Sequence, residues 1–396
     1  MNDVVIVESV RSACGRYKKG GLAATRAEDM GIQVIKALLA RVPAVMHGEV
    51  NDVIAGCAFP EGEQGLNLGR VLALGAGLPV TVAGVTVNRF CSSGLQAIAD
   101  TAATIGAGWA EVVIAGGCES MSHVPLGGNL LRPHPDWGDL PNTYVTMGIT
   151  AENIAAAYHV SREDQDIFSV ESHSRAHEAV KTGRFSEEIV PLEASRYKTA
   201  KSGKRIREKV RFEVDDGIRW PAGAEELAKL SSPFRRGGSV TAGNSSQMSD
   251  GAAFSLLMSA RKAAALGIKP LARLACYAVV GCRPEEMGVG PALAIPKVLA
   301  MAGLKMKDID VFEINEAFAA QAIYCLRALN IEDRWRMGDV NPNGGAIALG
   351  HPLGATGAKL TAQLLYELKR RQAGRGIVAM CVGGGMGAAG IFEMIP

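Results

Sequence analysis

Short apolar runs alternate with helically spaced apolar positions along the first 118 residues. Runs rich in Val and Ile, bounded by Gly, Asn or Pro, predict strands at residues 4–7, 51–57, 82–87 and 111–117. Apolar residues at helical spacing predict helices at 25–42, at 66–77 and from Leu95 to Ile105. Strands that alternate with helices predict an α/β fold with a mainly parallel sheet, in which 82–87 is a buried strand.

The alternation stops between Cys118 and about Gln247, where Pro, Asp and Arg become frequent. One clear helical stretch remains at 162–182, and prolines 125, 133, 135 and 141 fall close together. The segment is too long for an ordinary loop. We interpret it as an inserted cap over the active face, because it has no strand-rich pattern that would build a second independent core.

The alternation resumes at Gly251 and repeats the order of the first half. A strand at 309–314, a segment around His351 and a strand at 376–383 follow one another as their counterparts do earlier. Cys91 to Gly117 spans 26 residues, and so does Gly357 to Gly383. We therefore expect two similar halves, residues 1–118 (completed by about 248–270) and 271–396, with a cap domain at 119–247 and a site between the halves.

Composition narrows the function classes only a little. The 396 residues are 48% hydrophobic and carry a net charge of +2, which makes a nucleic-acid partner unexpected. Basic residues cluster at 205–209 and 235–236, which fits either a solvated surface or contact with a phosphate-bearing ligand.

The eight cysteines form no C-x-x-C pair and none lies beside a His at ligand spacing, so structural zinc is unexpected. The chain is too long and too rich in core residues for a disulfide scaffold, which favours free thiols in a reducing cytoplasm. Its N-terminus enters a strand directly without a leader pattern. No run of 18 apolar residues occurs, and hence we expect no membrane span.

Cys91 lies where the strand at 82–87 gives way to a helix. Ser92 or Ser93 could cap that helix, and Gly94 permits a close approach at its first turn. The positive end of a helix dipole is expected to lower the pKa of the thiol, as a nucleophile requires. A buried, unreactive cysteine is the alternative at this stage.

Three further segments follow strands or occupy turns: 315–318 (NEAF), 350–354 (GHPLG) and 381–385 (CVGGG). Together with Cys91 they supply a nucleophilic thiol, an amide, an imidazole, a second thiol and free backbone N–H groups. This set fits acyl transfer through a cysteine and an oxyanion hole.

These segments, with two others, resemble the thiolase family over nearly the whole chain. The matching motifs are NRFCSSG (88–94), GGCESM (116–121), TAGNSSQ (241–247), NEAF (315–318), NGGAIALGHPLG (343–354) and CVGGGMG (381–387). The resemblance implies a five-layered αβαβα fold, assembled as a homodimer or homotetramer. It also implies CoA and acyl-CoA as substrates, with no permanently bound cofactor or metal.

The resemblance assigns roles to individual residues. Cys91 resembles the acylated nucleophile, and His351 the group that activates it and donates to a thioester oxygen. Asn315, through a water, resembles the second donor to that oxygen, and Cys381 the acid/base. The N–H groups of Cys91 and Gly383 resemble a second oxyanion hole. Residues that match coenzyme A or thioester contacts are Arg219, Ser246, Met147, Phe234, Met287 and Phe318.

Other functions fit parts of the sequence less well. GMGAAG at 385–390 matches a dinucleotide fingerprint, but only six residues follow it, too few for the required helix. A non-enzymatic lipid-binding or scaffold relative is disfavoured by the intact Cys91, Asn315, His351 and Cys381. A 3-oxoacyl-carrier-protein synthase would share the fold, but the His-Pro-Leu-Gly loop at 351–354 and the second cysteine favour a thiolase. Within the family we expect cleavage of 3-oxoacyl-CoA in fatty-acid β-oxidation; the alternative is biosynthetic condensation of two acetyl-CoA.

Overall fold

Strands and helices alternate in the first half, as the apolar pattern predicts. The computed structural model describes residues 3–135, 142–199 and 204–396. The first elements are β1 (Val4–Arg11), β2 (Gly15–Arg16), α1 (Ala27–Arg41), β3 (Asp52–Gly56), α2 (Leu68–Gly75), β4 (Val85–Val87), α3 (Ser93–Gly106) and β5 (Val112–Ser120). The prediction of a buried strand at 82–87 is wrong in two respects. The strand is shorter, and it is partly exposed because, among the described strands, β4 pairs with β3 alone at a sheet edge.

The inserted segment contains more regular structure than its sequence indicates. Its elements are α4 (Met147–Ala157), α5 (Arg162–Lys181), β6 (Leu192–Thr199), β7 (Arg205–Phe212) and α6 (Ala224–Ala228). Of these, the apolar pattern predicts α5 alone. The β6–β7 hairpin carries many polar residues, which conceal a strand pattern, and it forms a two-stranded sheet of its own. Some of the proline-rich stretch, residues 136–141 with Pro141, lies outside the described residues.

The remaining elements complete both halves. They are β8 (Ser249–Ser259), α7 (Ala260–Ala265), β9 (Ala272–Gly281), α8 (Gly290–Ala302), β10 (Val311–Ile314), α9 (Ala319–Ala328), α10 (Glu332–Arg336), α11 (Ala346–Leu349), α12 (Leu353–Arg371), β11 (Arg375–Val382) and β12 (Met386–Met394).

The main sheet runs in the order β10-β11-β12-β9-β1-β8-β5-β3-β4, and β2 pairs with β8. Its two sections, one from each half, meet at a single pair, Ile6 opposite Ala272. The expectation of a mainly parallel sheet is wrong. Each section contains a late strand that is antiparallel to both of its neighbours: β8 between β1 and β5, and β12 between β9 and β11. The parallel pairs among the described strands are β3–β4, β3–β5 and β10–β11.

Helices cover the two sheet sections in five layers, helix–sheet–helix–sheet–helix. The central layer is α3 and α12, whose apolar faces contribute Leu95, Ile98, Leu360 and Leu364 to a core shared by both sections. Helices α1 and α2 cover the first section from outside, and α8 and α9 cover the second.

Glycine lets the two central helices approach closely. A Cβ on Gly357 of α12 would lie 2.2 Å from the backbone N of Leu95 in α3, and one on Gly94 would lie 2.8 Å from the N of Ala358. Each helix follows a segment with a candidate catalytic residue, Cys91 before α3 and His351 before α12. The close crossing therefore brings the two candidate segments to the same end of the central layer.

Across the described residues of the chain, no helix combines the length and the apolar character that crossing a membrane requires.

Candidate active site

Cys91 occupies a single 3₁₀ turn, residues Phe90–Ser92, between β4 and α3. Phe90 adopts a left-handed conformation with φ of +42°, which is strained for a side chain of this size. The side chain of Asn88 accepts the N–H of Phe90 at 2.8 Å. The hydroxyl of Ser93 accepts the N–H of Arg89 at 2.9 Å and donates to the carbonyl of Phe90 at 2.7 Å. Polar residues of the motif therefore hold the sharp turn that presents the thiol.

Two expectations for this turn are wrong. Ser92 is the N-cap residue of α3, but its side chain caps no N–H of the helix, and Ser93 bonds back into the turn. The pKa of Cys91 is not lowered. Burial raises it to about 11, while the N–H groups of Gly383 and of Cys91 itself oppose that rise. Removal of the thiol from water outweighs the local backbone dipoles.

Gly383 reaches the sulfur of Cys91 from the hairpin that joins β11 to β12. Gly384 and Gly385 have φ of +81° and +86°, values that favour glycine, so the chain can reverse shortly after Cys381. The N–H groups of Gly383 and Cys91 both face the thiol. Two N–H groups that converge on a nucleophile can stabilise the oxyanion that forms during acyl transfer.

Cys381 lies inside β11 and has no exposed surface. Burial raises its pKa well above the usual range, and negative charge at Cys91, Cys325 or Cys282 would raise it further. The group is therefore a protonated thiol at neutral pH. A negative charge on Cys91 would raise the pKa of Cys381, which indicates that the two sulfurs lie close enough to interact.

His351 and Asn315 form a direct pair. The imidazole Nε2 lies 3.3 Å from Asn315 Nδ2, and Nδ1 lies 2.6 Å from Thr356 Oγ1. Thr356 donates its own hydroxyl hydrogen to the carbonyl of Pro352 at 2.9 Å, so its oxygen must accept from Nδ1–H. This fixes the tautomer: the proton is on Nδ1, and the lone pair of Nε2 accepts from the side-chain amide of Asn315.

Burial and then the positive charge of Lys359 lower the pKa of His351 to about 3. The imidazole is therefore neutral at physiological pH and able to accept a proton at Nε2. The neutral thiol of Cys91 and this neutral imidazole are the two partners that general-base activation requires.

The segment that carries His351 is anchored on both sides. Its N–H donates to the carbonyl of Gln247 at 3.0 Å and to Ser249 Oγ at 3.2 Å. Leu353, two residues later, packs with Cys91, Ala58 and Met121 in one apolar cluster. The structure thus links the His351–Asn315 pair to the Cys91–Gly383 turn.

Four candidate thioester contacts lie together around Cys381. Met147, Met287 and Phe318 share its apolar cluster. Phe234 packs edge-on against Phe318, with ring centroids 6.4 Å apart. The cluster joins the cap to the second half, where an apolar portion of a substrate could lie.

The two polar residues that match coenzyme A contacts, Ser246 and Arg219, lie outside this apolar cluster. Ser246 belongs to the segment that bridges Phe318 on one side and His351 on the other. Arg219 is exposed and lines a cavity of about 160 Å³ with His173, Gln247 and others. Of the basic residues at 205–209, Lys209 pairs with Glu193 and Arg207 bonds Ser195 on the hairpin, which fits the solvated-surface interpretation.

Sequence reasoning missed several groups at the site. His173 accepts the N–H of Arg219 at 3.1 Å, and its pKa is lowered to about 4 by burial and then by the charge of Arg219. The sequence pattern assigns no role to Thr356, which sets the tautomer of His351. It also assigns none to Glu119, which lies inside the GGCESM motif (116–121). Thr356 could have been found from the sequence, because a hydroxyl five residues after a histidine at the start of a helix lies within reach of the imidazole ring.

Among the residues that the structure describes, no three His, Cys, Asp or Glu side chains are grouped so that they could hold a metal ion.

Two family models match the chain: the thiolase N-terminal domain over residues 4–261 and the thiolase C-terminal domain over residues 268–394. Among curated proteins, a 3-ketoacyl-CoA thiolase of Bacillus subtilis (strain 168) is 49% identical over 100% of both chains. The peroxisomal 3-ketoacyl-CoA thiolase 5 of Arabidopsis thaliana is 44% identical over 99% of this chain and 85% of its own. The crystal structure of the Bacillus anthracis acetyl-CoA acetyltransferase superposes with a TM-score of 0.89 at 40% identity, covering 100% of this chain and 99% of that one.

Proposed function

The chain belongs to the thiolase family, and from that premise we propose that it cleaves 3-oxoacyl-CoA with coenzyme A, through an acyl-enzyme at Cys91, to acetyl-CoA and a shortened acyl-CoA. The observation that carries the proposal is the pairing of a thiol faced by two N–H groups with an imidazole whose Nε2 is unprotonated. An acyltransferase that works through a cysteine needs both.

In the first half-reaction, Nε2 of His351 takes the proton of Cys91 as the sulfur attacks the 3-oxo carbon. The N–H groups of Cys91 and Gly383 stabilise the oxyanion. The bond between carbons 2 and 3 breaks, and its electron pair forms the enolate of acetyl-CoA. That enolate oxygen accepts from protonated His351 and, through a water, from Asn315, while the thiol of Cys381 delivers a proton to carbon 2.

In the second half-reaction, the thiolate of Cys381 takes the proton of an incoming coenzyme A. The new thiolate attacks the acyl carbon, and the sulfur of Cys91 leaves and recovers its proton from His351. Both thiols and the imidazole end in their starting states, so the cycle needs no metal, no redox cofactor and no permanently bound group.

Coenzyme A is proposed to bind between the cap and the second half. Met147, Phe234, Met287 and Phe318 surround Cys381 and suit the thioester arm, because an apolar wall keeps water from the enolate. Arg219 and Ser246 are proposed contacts for the polar remainder of the cofactor. Arg219 is free to reach a phosphate because its side chain is exposed at the mouth of a cavity.

The division of the chain stays a proposal: one half of residues 1–118 completed by about 248–270, a cap of 119–247, and a second half of 271–396. Its support is that β8, far along the chain, lies between β1 and β5 in the first section of the sheet.

A cytoplasmic location is proposed because all eight cysteines are unpaired, a state that a reducing compartment maintains.

Assembly into a homodimer or homotetramer is proposed on the surface beside the edge strand β4. Apolar side chains stand exposed there on neighbouring elements, with Leu66 95% and Val80 78% exposed; the others are Val71, Leu74 and Val85. An open strand edge flanked by apolar residues is a surface that proteins usually cover. Sedimentation of the wild type and of Val85→Lys tests it; a monomeric wild type would contradict the proposal.

Substrate range decides between degradative and biosynthetic function. We expect cleavage of 3-oxohexanoyl-CoA or longer substrates with a kcat/KM comparable to that for acetoacetyl-CoA, as β-oxidation requires. The assay is thiolysis over a series of chain lengths, run beside the condensation of acetyl-CoA. Activity restricted to acetoacetyl-CoA would favour the biosynthetic enzyme, and no thiolysis at all would contradict the proposed function.

A further inference from the structure

Glu119 is the next-to-last residue of the buried strand β5 and carries a carboxylate that has no exposed surface. Its Oε2 accepts the N–H of Ala58 at 2.7 Å and of Gly354 at 2.8 Å. Its Oε1 accepts the N–H of Phe59 at 3.3 Å and the side-chain amide of Gln64. Burial raises the pKa of Glu119, whereas these N–H donors lower it. Because every one of these partners donates, the ionised form satisfies the site.

The donors come from both halves of the molecule. Ala58 and Phe59 follow β3 in the first half, whereas Gly354 belongs to the first turn of α12. Pro352 is the N-cap of α12 and makes no side-chain capping bond. Glu119 takes the N–H at the second helical position, which a capping side chain ordinarily does, and its charge lies at the positive end of the helix.

The start of α12 is pressed tightly against this carboxylate. A Cβ added to Gly354 would lie 2.7 Å from Glu119 Oε2 and 2.6 Å from the Cα of Cys57. Leu353, the residue before, packs beside Cys91. His351 stands two residues before Leu353. The carboxylate of Glu119 therefore bonds directly to the start of the helix that follows His351, next to the residue that packs on Cys91.

We propose that Glu119 is a positioning residue for acylation of Cys91: by capping α12 from strand β5, it holds His351 where Nε2 reaches the thiol. The inference rests on the proposed function, since acyl transfer to Cys91 is its readout. Proton transfer needs heavy atoms within hydrogen-bond reach, and a displacement of about 1 Å can cost about 100-fold in rate.

The test is Glu119→Gln, which keeps the shape but directs an NH₂ group at backbone N–H donors. We expect kcat and the single-turnover acetylation of Cys91 by acetyl-CoA, followed by mass spectrometry, to fall about 10- to 100-fold per folded enzyme. KM for coenzyme A should stay within about threefold, because the proposed binding residues lie on other elements. A loss of stability alone would not produce this split.

Glu188→Gln is the matched control. Glu188 is also fully buried, and it accepts from Arg11 Nε at 2.6 Å, at a junction between β1 and the cap. It should lower the midpoint of thermal unfolding while kcat per folded enzyme stays within about threefold. If Glu119→Gln behaves in the same way, with kcat unchanged per folded molecule, the positioning role is overturned.

Should Glu119→Gln fail to fold, Glu119→Asp takes its place. Aspartate keeps the negative charge but withdraws it by one methylene from Gly354, so acetylation of Cys91 should still slow at least about fivefold; an unchanged rate overturns the proposal. A wild type that neither thiolyses 3-oxoacyl-CoA nor acetylates Cys91 contradicts the proposed function instead. An active wild type with unaffected variants contradicts only the role of Glu119.

Discussion

Cys91 and Cys381 are the same chemical group at strand ends in two similar halves, yet their surroundings differ. Cys91 sits in a strained turn, keeps 7% of its surface exposed and faces two N–H groups. Cys381 lies inside a strand, fully buried among Met147, Met287 and Phe318. The two N–H groups suit a sulfur that forms and breaks a bond to carbon, because they can stabilise the oxyanion of that step. The apolar surroundings suit a thiol that holds its proton until an enolate carbon needs it.

The comparison also shows that neither sulfur begins as a thiolate. Burial raises the pKa of Cys91 to about 11 and that of Cys381 well above its usual range. His351, with a pKa lowered to about 3, is neutral as well. In the proposed mechanism, nucleophilic character therefore arises during the attack, as the proton moves from Cys91 to His351, and a dry site avoids the cost of a resting ion pair.

The largest expected effect comes from removing the nucleophile. Cys91→Ala should lower thiolysis by at least about 10⁴-fold, and Cys91→Ser should leave only a trace, because an alkoxide forms far less readily than a thiolate. Steady-state thiolysis measures both. Cys118→Ala, which removes another buried thiol of the first half, should keep turnover within a few-fold. If Cys91→Ala retained turnover, Cys91 would not be the nucleophile, and the contrast drawn between Cys91 and Cys381 would fail.

The next effect separates the acid/base from the nucleophile. Cys381→Ala should still become acetylated at Cys91 by acetyl-CoA, since that step breaks no C–H bond, but more slowly, because no Cys381 thiol protonates the departing thiolate of coenzyme A. Exchange of the acetyl methyl protons with deuterated solvent, measured by NMR, should fall about 10³-fold. Cys325→Ala is the control, because it removes a neighbouring buried thiol. Wild-type exchange in Cys381→Ala would assign the acid/base role to His351.

A third effect concerns pH. Between the pKa of His351 near 3 and that of Cys91 near 11, thiol and imidazole both stay neutral, so iodoacetamide should alkylate Cys91 at a rate nearly independent of pH from about 5 to 9. In His351→Asn the thiolate must form unaided. Its fraction rises about tenfold per pH unit below the pKa, so the rate should rise with the same slope and lie about 100-fold lower at pH 7.

Cys282 is the internal control for that experiment. Burial raises its pKa to about 11 as well, and negative charge at Glu286 raises it further, yet it is more exposed than Cys91. In wild type Cys91 should label first at pH 7, and acyl-CoA should protect it but not Cys282. Preferential labelling of Cys282 with no loss of activity would contradict the nucleophile assignment.

The smallest expected effect concerns the binding of coenzyme A and should leave the reactivity of both thiols unchanged. Arg219→Ala removes a proposed contact of coenzyme A on the cap and should raise KM for coenzyme A about tenfold with kcat retained. Arg211→Ala, which removes an exposed arginine of the hairpin paired with Glu213, is the matched control and should have no effect. A large fall in kcat for Arg219→Ala would place this residue in the chemistry and not in binding.

Much of the site could be predicted because its signals are local. Cys91, Asn315, His351 and Cys381 each follow an apolar run or lie among glycines, and the structure brings all four into one region. The hairpin β6–β7 could not be predicted in the same way. The two strands pair with each other, and one end of the hairpin packs Leu192, Ala194, Val210 and Phe212 on the first core. The polar residues along the rest of both strands lack the apolar alternation by which a half-buried strand is recognised.

The sequence by itself determined the alternation of strands and helices in the first half, the repetition of one half in the other, and the identity of the candidate reacting side chains. These depend on spacing along the chain and on residue chemistry. Only the tertiary structure decided the antiparallel placement of β8 and β12, the protonated state of Cys91 and the capping of α12 by Glu119. Strand direction, desolvation and a hydrogen bond across 235 residues all arise from contacts between distant segments, and no local pattern encodes which segments will meet.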